Sequence, residues 1–385
     1  ENNMKKILVF VLLVALLSVS FIGCAAKEEP AAVAEEPAPA EEAAEEVVEE
    51  PVELLKVGMV TDAGTIDDKS FNQGTWEGIL AYEEKGTIEA KYLQPEGTEH
   101  AQYVAAISDL VDAGYQVIVT PGFLFETAVN EAAEKFPDVS FILIDGMTHA
   151  GDWAYNAWPN AISIFFKEEQ SGFMAGVAAA LESKTGKLGF VGGMSVPAVV
   201  AFGEGFKYGV EYSNANLGTS CELKEDNYVY SGSFSDVDLG KSLAAGMFDK
   251  GVDIVFAAAG GVGVGSFNEC KERAINGEEV MMVGVDVDQY AFGLYDDTNS
   301  VTLTSAMKGL DVAVQKYIAD TEAGAFVGGE IVSLGVADDA VGLPADNPNL
   351  SADTMAAVDT VRGLLLDGTI TLDRDPATGG ITAAY

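Results

Sequence analysis

Histidine is nearly missing from this chain: His100 and His149 are the only two in 385 residues. Cysteine is scarce as well. Cys24, Cys221 and Cys270 are the three present, and neither a CxxC nor an HxxxH spacing occurs. A transition-metal centre therefore has few ligands to draw on, and a Ser-His-Asp triad has almost no choice of base. Nothing in the spacing of Cys221 and Cys270 marks a bridge, so both are expected as unpaired, small buried residues. Positive charge is the third shortage. Against 61 Asp and Glu stand 21 Lys and Arg, a formal net charge of −40. Such a chain is a poor partner for a nucleic acid polymer or for an anionic lipid surface. The charge does not bear on a small uncharged ligand held in a cleft.

Only one long apolar run is present, Ile7 to Ile22, preceded by Lys5 and Lys6 and followed by Gly23-Cys24. A basic start, an apolar stretch and a small residue at the cut make an export signal. The run is marginal for a membrane span, which needs roughly 20 apolar residues. Cysteine directly after the small residue resembles a bacterial lipobox, although Phe21 stands where Leu is usual. Residues 1–24 are thus expected to be a lipoprotein signal peptide with lipid attachment at Cys24. A signal anchor with an incidental Cys is the competing reading. Residues 25–53 consist largely of Ala, Glu and Pro with almost no large apolar side chain. They cannot bury enough surface to offset ordering entropy, and are expected to form a disordered tether. Anchor, leash and globular part suit a protein working on the extracytoplasmic face of the cell membrane without spanning it.

From Leu54 onward, short runs rich in Val, Ile and Phe alternate with amphipathic stretches of helical length. Residues 56–62, 89–94, 116–120, 139–145 and 161–166 read as strands, with helices over 71–84, 101–113 and 126–136 between them. After a helix over 168–181 the pattern restarts. Strands are expected at 187–193, 227–230, 253–258 and 280–286, and helices at 199–212, 239–250 and 267–275. A returning strand at 301–305 and helices at 310–322 and 352–366 follow. Alternation of this kind means βαβ units and parallel sheets with helices on both faces. The expected fold class is α/β, with two doubly wound parallel-sheet lobes joined by a hinge. Residues 54–165 plus 290–323 are assigned to the first lobe, and 166–289 plus 324–385 to the second. Ligands of such sheets bind beyond the C-terminal ends of the strands, here in the cleft between lobes.

The stretch Val60-Thr61-Asp62-Ala63-Gly64-Thr65-Ile66-Asp67-Asp68-Lys69-Ser70-Phe71-Asn72-Gln73 resembles the opening motif of the basic membrane protein family, the purine-nucleoside-binding lipoproteins of bacterial ABC importers. Other stretches agree in order: Leu110-Val111-Asp112-Ala113-Gly114-Tyr115, Gly186 to Met194, Ala258-Ala259-Gly260-Gly261, and Val283 to Gln289. Thr65 stands where the family commonly has a second Gly, and Ala257 where a His is frequent. The resemblance covers roughly residues 56–343. It implies a periplasmic-binding-protein fold of type I, an ABC permease and ATPase as partners, and a nucleoside as ligand, with no cofactor and no metal.

A nucleoside presents a flat base and a ribose with two neighbouring hydroxyls. Its recognition calls for stacking surfaces, amides or carboxylates for base edges, and carboxylates for the hydroxyls. Phe71 and Phe234, one from each lobe, are the stacking candidates that the resemblance implies. Phe202 is a third, although an aromatic on a helix face is more often core. Asn72 and Asp62 are candidates for reading a purine edge, Asp62 having a turn or helix-capping role as its alternative. Asp67 and Asp68 read as turn and solvent residues. Asp145 and Asp286 each end a strand and are candidates for the ribose hydroxyls, Asp145 also suiting the turn that follows. Lys308 resembles the family's site lysine and is expected to keep Asp286 ionised, a purely structural ion pair being the alternative. The glycines from Gly260 to Gly265 follow a strand, as in a dinucleotide fingerprint, but Ser266 takes the place of the third glycine. Close approach of the backbone at Gly260 to a ligand is the preferred reading.

Two further classes stay in view. A nucleoside hydrolase would need an aspartate cluster on a divalent cation, or paired acids across the bond. A surface sensor would keep the cleft and use a receptor in place of a permease.

Overall fold

Strands buried on both faces need apolar residues at every position, and the chain supplies them as Val117-Ile118-Val119 and Ile254-Val255-Phe256. In the computed structural model, which describes residues 54–385, these runs are central strands of two six-stranded sheets. The expected signal peptide, Cys24 and the tether lie outside the described residues. The first part of the chain forms β1 (Leu55–Val60), α1 (Phe71–Glu83), β2 (Ile88–Leu93), α2 (His100–Asp112), β3 (Val117–Pro121), α3 (Glu126–Lys135), β4 (Ser140–Ile144) and β5 (Ala161–Phe166). After α4 (Glu168–Glu182) the second part forms β6 (Lys187–Gly192), α5 (Pro197–Asn216), β7 (Glu222–Tyr230), α6 (Val237–Phe248), β8 (Ile254–Ala258), α7 (Gly261–Ile275), β9 (Met281–Asp286) and β10 (Thr302–Lys308). The chain then crosses back through α8 (Leu310–Glu322), β11 (Ile331–Leu334), β12 (Val341–Gly342) and α9 (Ala352–Leu366), and ends in the hairpin β13 (Thr371–Arg374) and β14 (Ile381–Ala384).

The sheet orders are β11-β5-β4-β3-β1-β2 and β12-β10-β9-β8-β6-β7. One topology is thus built twice, each time with its reversal point beside the first strand, where doubly wound sheets bind ligands. The outermost strands differ in sense. β11 runs parallel to β5, whereas β12 is antiparallel to β10.

The strands do not divide where the sequence placed the boundary. β10, expected in the first lobe, pairs in parallel with β9 in the second sheet. Its Leu303 and Ala306 are buried in the second lobe's core, and only α8 returns, packing Leu310, Val314 and Ile318 into the first. β11, expected in the second lobe, is an edge strand of the first sheet. Its four residues alternate between exposed and half-buried, too short and too mixed to announce its sheet. α7 begins at Gly261, six residues earlier than its apolar pattern. Its glycines serve packing: a Cβ on Gly265 would lie 1.9 Å from Val237 O of α6, and one on Gly240 would lie 1.8 Å from Val262 O. The cluster therefore lets two helix backbones approach.

α4 lies between the two cores. Phe173, Met174 and Val177 join the first lobe's cluster, and Ala175 and Ala179 join the second's. Its own first turn, Glu168 and Glu169, is buried. Cys221 and Cys270 are both free. Among the described residues no helix is long and apolar enough to cross a membrane.

Candidate functional site

The fourth strand of each sheet leads to an aspartate. Asp145 follows β4 and Asp286 ends β9, and both hold left-handed backbone, at φ 56° and 64°. That conformation costs a residue with a Cβ about 1 kcal/mol, and Asp is among the side chains that adopt it most readily. It turns both carboxylates inward toward Lys308, the last residue of β10. The Lys308 ammonium lies 2.6 Å from Asp145 Oδ2, 2.9 Å from Glu168 Oε1 and 3.9 Å from Asp286 Oδ1. The rings of Phe71, Phe202 and Phe166 surround it at 4.9, 5.4 and 5.5 Å from their centroids. Only 4% of Lys308 is exposed, so these charges interact through protein rather than water.

This geometry alters the role expected of Lys308. Its close partners are Asp145 and Glu168, with Asp286 third. Asp286 accepts its direct hydrogen bond from Ser70 Oγ of the first lobe. Glu168 was missed because an acid in the first turn of a helix is ordinary complement to the helix dipole. Nothing local distinguishes it from Glu169. Phe166 was missed as the last apolar residue of an apolar strand.

Burial pushes the Asp145 carboxyl up to about 7, against the pull of Lys308. Burial raises Asp286 too. Glu168 is equally buried, but Lys308 and Arg374 together hold it below the usual carboxylate range. Burial works to lower the Lys308 ammonium, yet Asp145, Glu168 and Asp286 hold it well above its ordinary value. The cation is permanent, while Asp145 beside it sits close to taking a proton and Glu168 stays ionised.

In the first lobe the loop after β1 is organised by Asp68, which was read as a solvent residue and is in fact buried. Its carboxylate accepts from the backbone N–H of Ser70, Asn72 and Gln73, satisfying the free N–H groups at the start of α1. Asn72 donates from Nδ2 to both Asp62 and Asp68, and its Oδ1 accepts from Asp62 N. Most of its hydrogen-bonding capacity therefore holds the loop. Asp62 Oδ1 accepts from Gly64 N, and burial raises this carboxyl to about 6. Its Oδ2 accepts from no donor among the described residues.

In the second lobe Phe234 packs directly against glycine: a Cβ at Gly193 would come within 2.3 Å of its ring. Its carbonyl accepts from Gly261 N at 2.8 Å, and Gly260 takes φ 53° to begin α7 beside it. Phe202 is buried edge-to-face on Phe256 at 6.0 Å, as a core residue would be. Phe71 and Phe234 form no ring pair among the described residues. The lobes meet directly alongside. Gln289 Nε2 donates to Lys69 O at 2.7 Å, and a Cβ on Gly74 would lie 2.5 Å from Val287. A cavity of about 520 Å³ is lined by Lys308, Gly309, Val341, Pro344, Met355 and Arg362 among others, and by none of the aspartate or phenylalanine candidates.

The arrangement can accept hydrogen bonds from a ligand rich in hydroxyl or N–H groups and offer it aromatic faces. The place a metal would take among Asp145, Glu168 and Asp286 is filled by the Lys308 ammonium.

Residues 55–371 match the family described as ABC transporter substrate-binding protein PnrA-like. A CD4+ T-cell-stimulating antigen of Listeria innocua is 34% identical over 331 residues, 83% of this chain and 88% of that protein. The ABC transporter nucleoside-binding protein BmpA of Lactococcus lactis subsp. cremoris is 32% identical, over 83% of this chain and 89% of its own length. Among solved structures, an ABC transporter system solute-binding protein from Aeropyrum pernix K1 superposes with a TM-score of 0.72 at 26% identity, covering 83% of this chain and 93% of that one.

Proposed function

The chain belongs to the PnrA-like ABC transporter substrate-binding proteins, and from that premise we propose that it captures a purine nucleoside between its lobes and presents it to the permease and ATPase of an importer. Anchorage through lipid on Cys24, at the extracytoplasmic face of the cell membrane, is part of the same reading. The observation that carries it is the buried Lys308, ringed by carboxylates from the strand ends of both lobes. Asp145 and Asp286 supply acceptor oxygens for two vicinal hydroxyls, and hydrogen bonds to ionised acceptors are roughly twice as strong as neutral ones. Phe71 and Phe234 offer stacking faces from opposite lobes. Asp62 Oδ2 is an acceptor for a base N–H, and Gly260 leaves its backbone open to close approach. The Lactococcus relative bears a nucleoside-binding name, which supports the same ligand class.

Binding without chemistry is the role these residues support. His149 Nδ1 accepts from Gly151 N at 2.9 Å, and its Nε2 faces Glu126 at 3.1 Å, so this ring is committed to a loop. His100 pairs with Glu131 on the surface. Neither adjoins Lys308 or its acids. Mass spectrometry of small molecules released from the purified, denatured protein should find a purine nucleoside. Calorimetry should then show binding of inosine, guanosine or adenosine. No released nucleoside together with no heat for any of the three would sink the reading. Cys24→Ser should leave the membrane fraction or remain unprocessed; a variant still carrying lipid would remove the anchor.

A further inference from the structure

The terminal hairpin β13–β14 reaches beyond residue 371, where the family match ends. It is pinned to α5 and to the α4 region. Tyr208 donates from its hydroxyl to Ile381 O at 3.2 Å, Gly379 lies against Pro197 O, and Tyr385 stands edge-on to Tyr212 with ring centroids 5.2 Å apart. From this support one side chain extends inward. Arg374 donates from Nη1 to Phe166 O at 2.9 Å, is paired with Glu168 Oε2, and has Glu169 Oε2 at 3.7 Å. Glu168 thus gives one oxygen to each of two cations, Oε2 to Arg374 and Oε1 to Lys308.

We propose that Arg374 is a positioning residue for the ligand site: it neutralises Glu168 from behind, so that Lys308 remains available to Asp145 and Asp286. The inference rests on the nucleoside reading for its ligand. The groups facing these cations are Asp145 from the end of β4, Glu168 and Glu169 from α4, Asp286 from the end of β9 with Asp68 beyond it, and Lys167 on the neighbouring turn. Four acids at close range, three buried and Asp145 partly so, thus share the buried Lys308 and the partly buried Arg374. Burial and the neighbouring Glu168 already push the Glu169 carboxyl up to about 7, so the cluster has no surplus of positive charge. Without Arg374, Lys308 alone would serve Glu168, Asp145 and Asp286. Asp145 and Asp286 would then take protons at higher pH, and a protonated carboxyl is a poorer acceptor for a hydroxyl. The geometry suits arginine: a planar fork reaches a carboxylate and a carbonyl at once, which an ammonium does less well.

The test compares wild type, Arg374→Met and Arg374→Lys in the full chain. Calorimetry with inosine is run from about pH 5.5 to about pH 9, alongside thermal unfolding of the ligand-free proteins over the same range. Arg374→Met should bind about tenfold more weakly near pH 7, the equivalent of one pKa unit of differential interaction. The deficit should shrink toward pH 9, and Arg374→Lys should recover most of it. A folded Arg374→Met with wild-type affinity, or with a deficit independent of pH, overturns the proposal. Should Arg374→Met not fold, Glu169→Gln gives a second arm. Removing the competing acid should move the acid limb of binding to lower pH, and an unmoved limb overturns the proposal. Wild type that binds no inosine defeats the nucleoside reading alone. The ligand-free arm then decides: Arg374→Met should lose stability more steeply than wild type between about pH 5.5 and 8, and identical profiles overturn the role of Arg374.

Discussion

At the end of its fifth strand in chain order the first lobe carries Phe166, and at the same place in the same topology the second carries Lys308. The fourth strands, by contrast, lead to matching aspartates with matching left-handed backbones. A shared strand order therefore placed two acids symmetrically, and one unequal pair gave the cleft its cation and the ring that faces it at 5.5 Å. The loops differ in the same way. The first lobe contributes a carboxylate-rich loop, Asp62 and Asp68 with Asn72. The second contributes glycine at 193, 260 and 261 beneath Phe234. In the proposed site the first lobe's loop would add polar groups and the second lobe's loop close approach, with Asp286 and Lys308 as the second lobe's own polar share.

The comparison breaks most severely at Lys308. Lys308→Met leaves Asp145, Glu168 and Asp286 without their shared cation. Removing one partner of a buried ion pair costs ~3–5 kcal/mol. Urea unfolding should show a loss of that size near pH 7.5 and a smaller one near pH 5.5, where the acids take protons; equal losses at both would mean that the acids are not the cause. Nucleoside binding should vanish in the same variant.

Next come the rings. Phe71→Ala and Phe234→Ala should each weaken nucleoside binding by ~1–3 kcal/mol, the range for a lost base–aromatic stack. A folded variant of either with unchanged calorimetric affinity would make stacking a property of one lobe alone.

The two aspartates can be separated by the sugar. Wild type should prefer inosine to 2′-deoxyinosine by ~1–3 kcal/mol, because a lost hydroxyl leaves a buried acceptor unsatisfied. Asp286→Ala should lose most of that preference. Asp145→Ala releases Lys308 and should weaken both ligands alike. A double cycle across protein and ligand reads this directly, and equal ribo-to-deoxy preference in wild type and Asp286→Ala removes Asp286 from the sugar.

The smallest effect is on pH. Asp62 at about 6 and Asp145 and Glu169 at about 7 all stand above their unfolded values, chiefly through burial. The folded protein therefore holds more protons than the unfolded chain from about pH 4 to 7, and this contribution to stability falls as pH rises through that window. Relief of repulsion in a chain of net charge −40 acts in the same direction. Ligand-free protein should melt higher near pH 5.5 than near pH 7.5, by the equivalent of ~1 kcal/mol or more for a shift exceeding one pKa unit. Glu168, held low, acts oppositely, but only below its unfolded value. A midpoint that falls on acidification from pH 7.5 to 5.5 would contradict the buried-acid account.

Local periodicity determined much of this protein without coordinates. Alternating apolar runs and helical stretches define parallel sheets and two similar halves, because burial on both faces leaves a mark on every residue of a strand. Strand ends identify themselves, so Asp145 and Asp286 stood out as candidates, whereas Lys308 and the stacking role of Phe71 came from the family resemblance. Tertiary structure decided which of them meet. The Lys308–Asp145 pair joins residues 163 apart in sequence, and Arg374 reaches Glu168 across 206. It also decided that β10 stays with the second sheet while β11 crosses to the first, and that Asp68 is buried beneath a helix start. Periodicity is a property of neighbours in the chain, whereas a charge network is a property of neighbours in space, and in a chain that crosses between its lobes more than once the two seldom coincide.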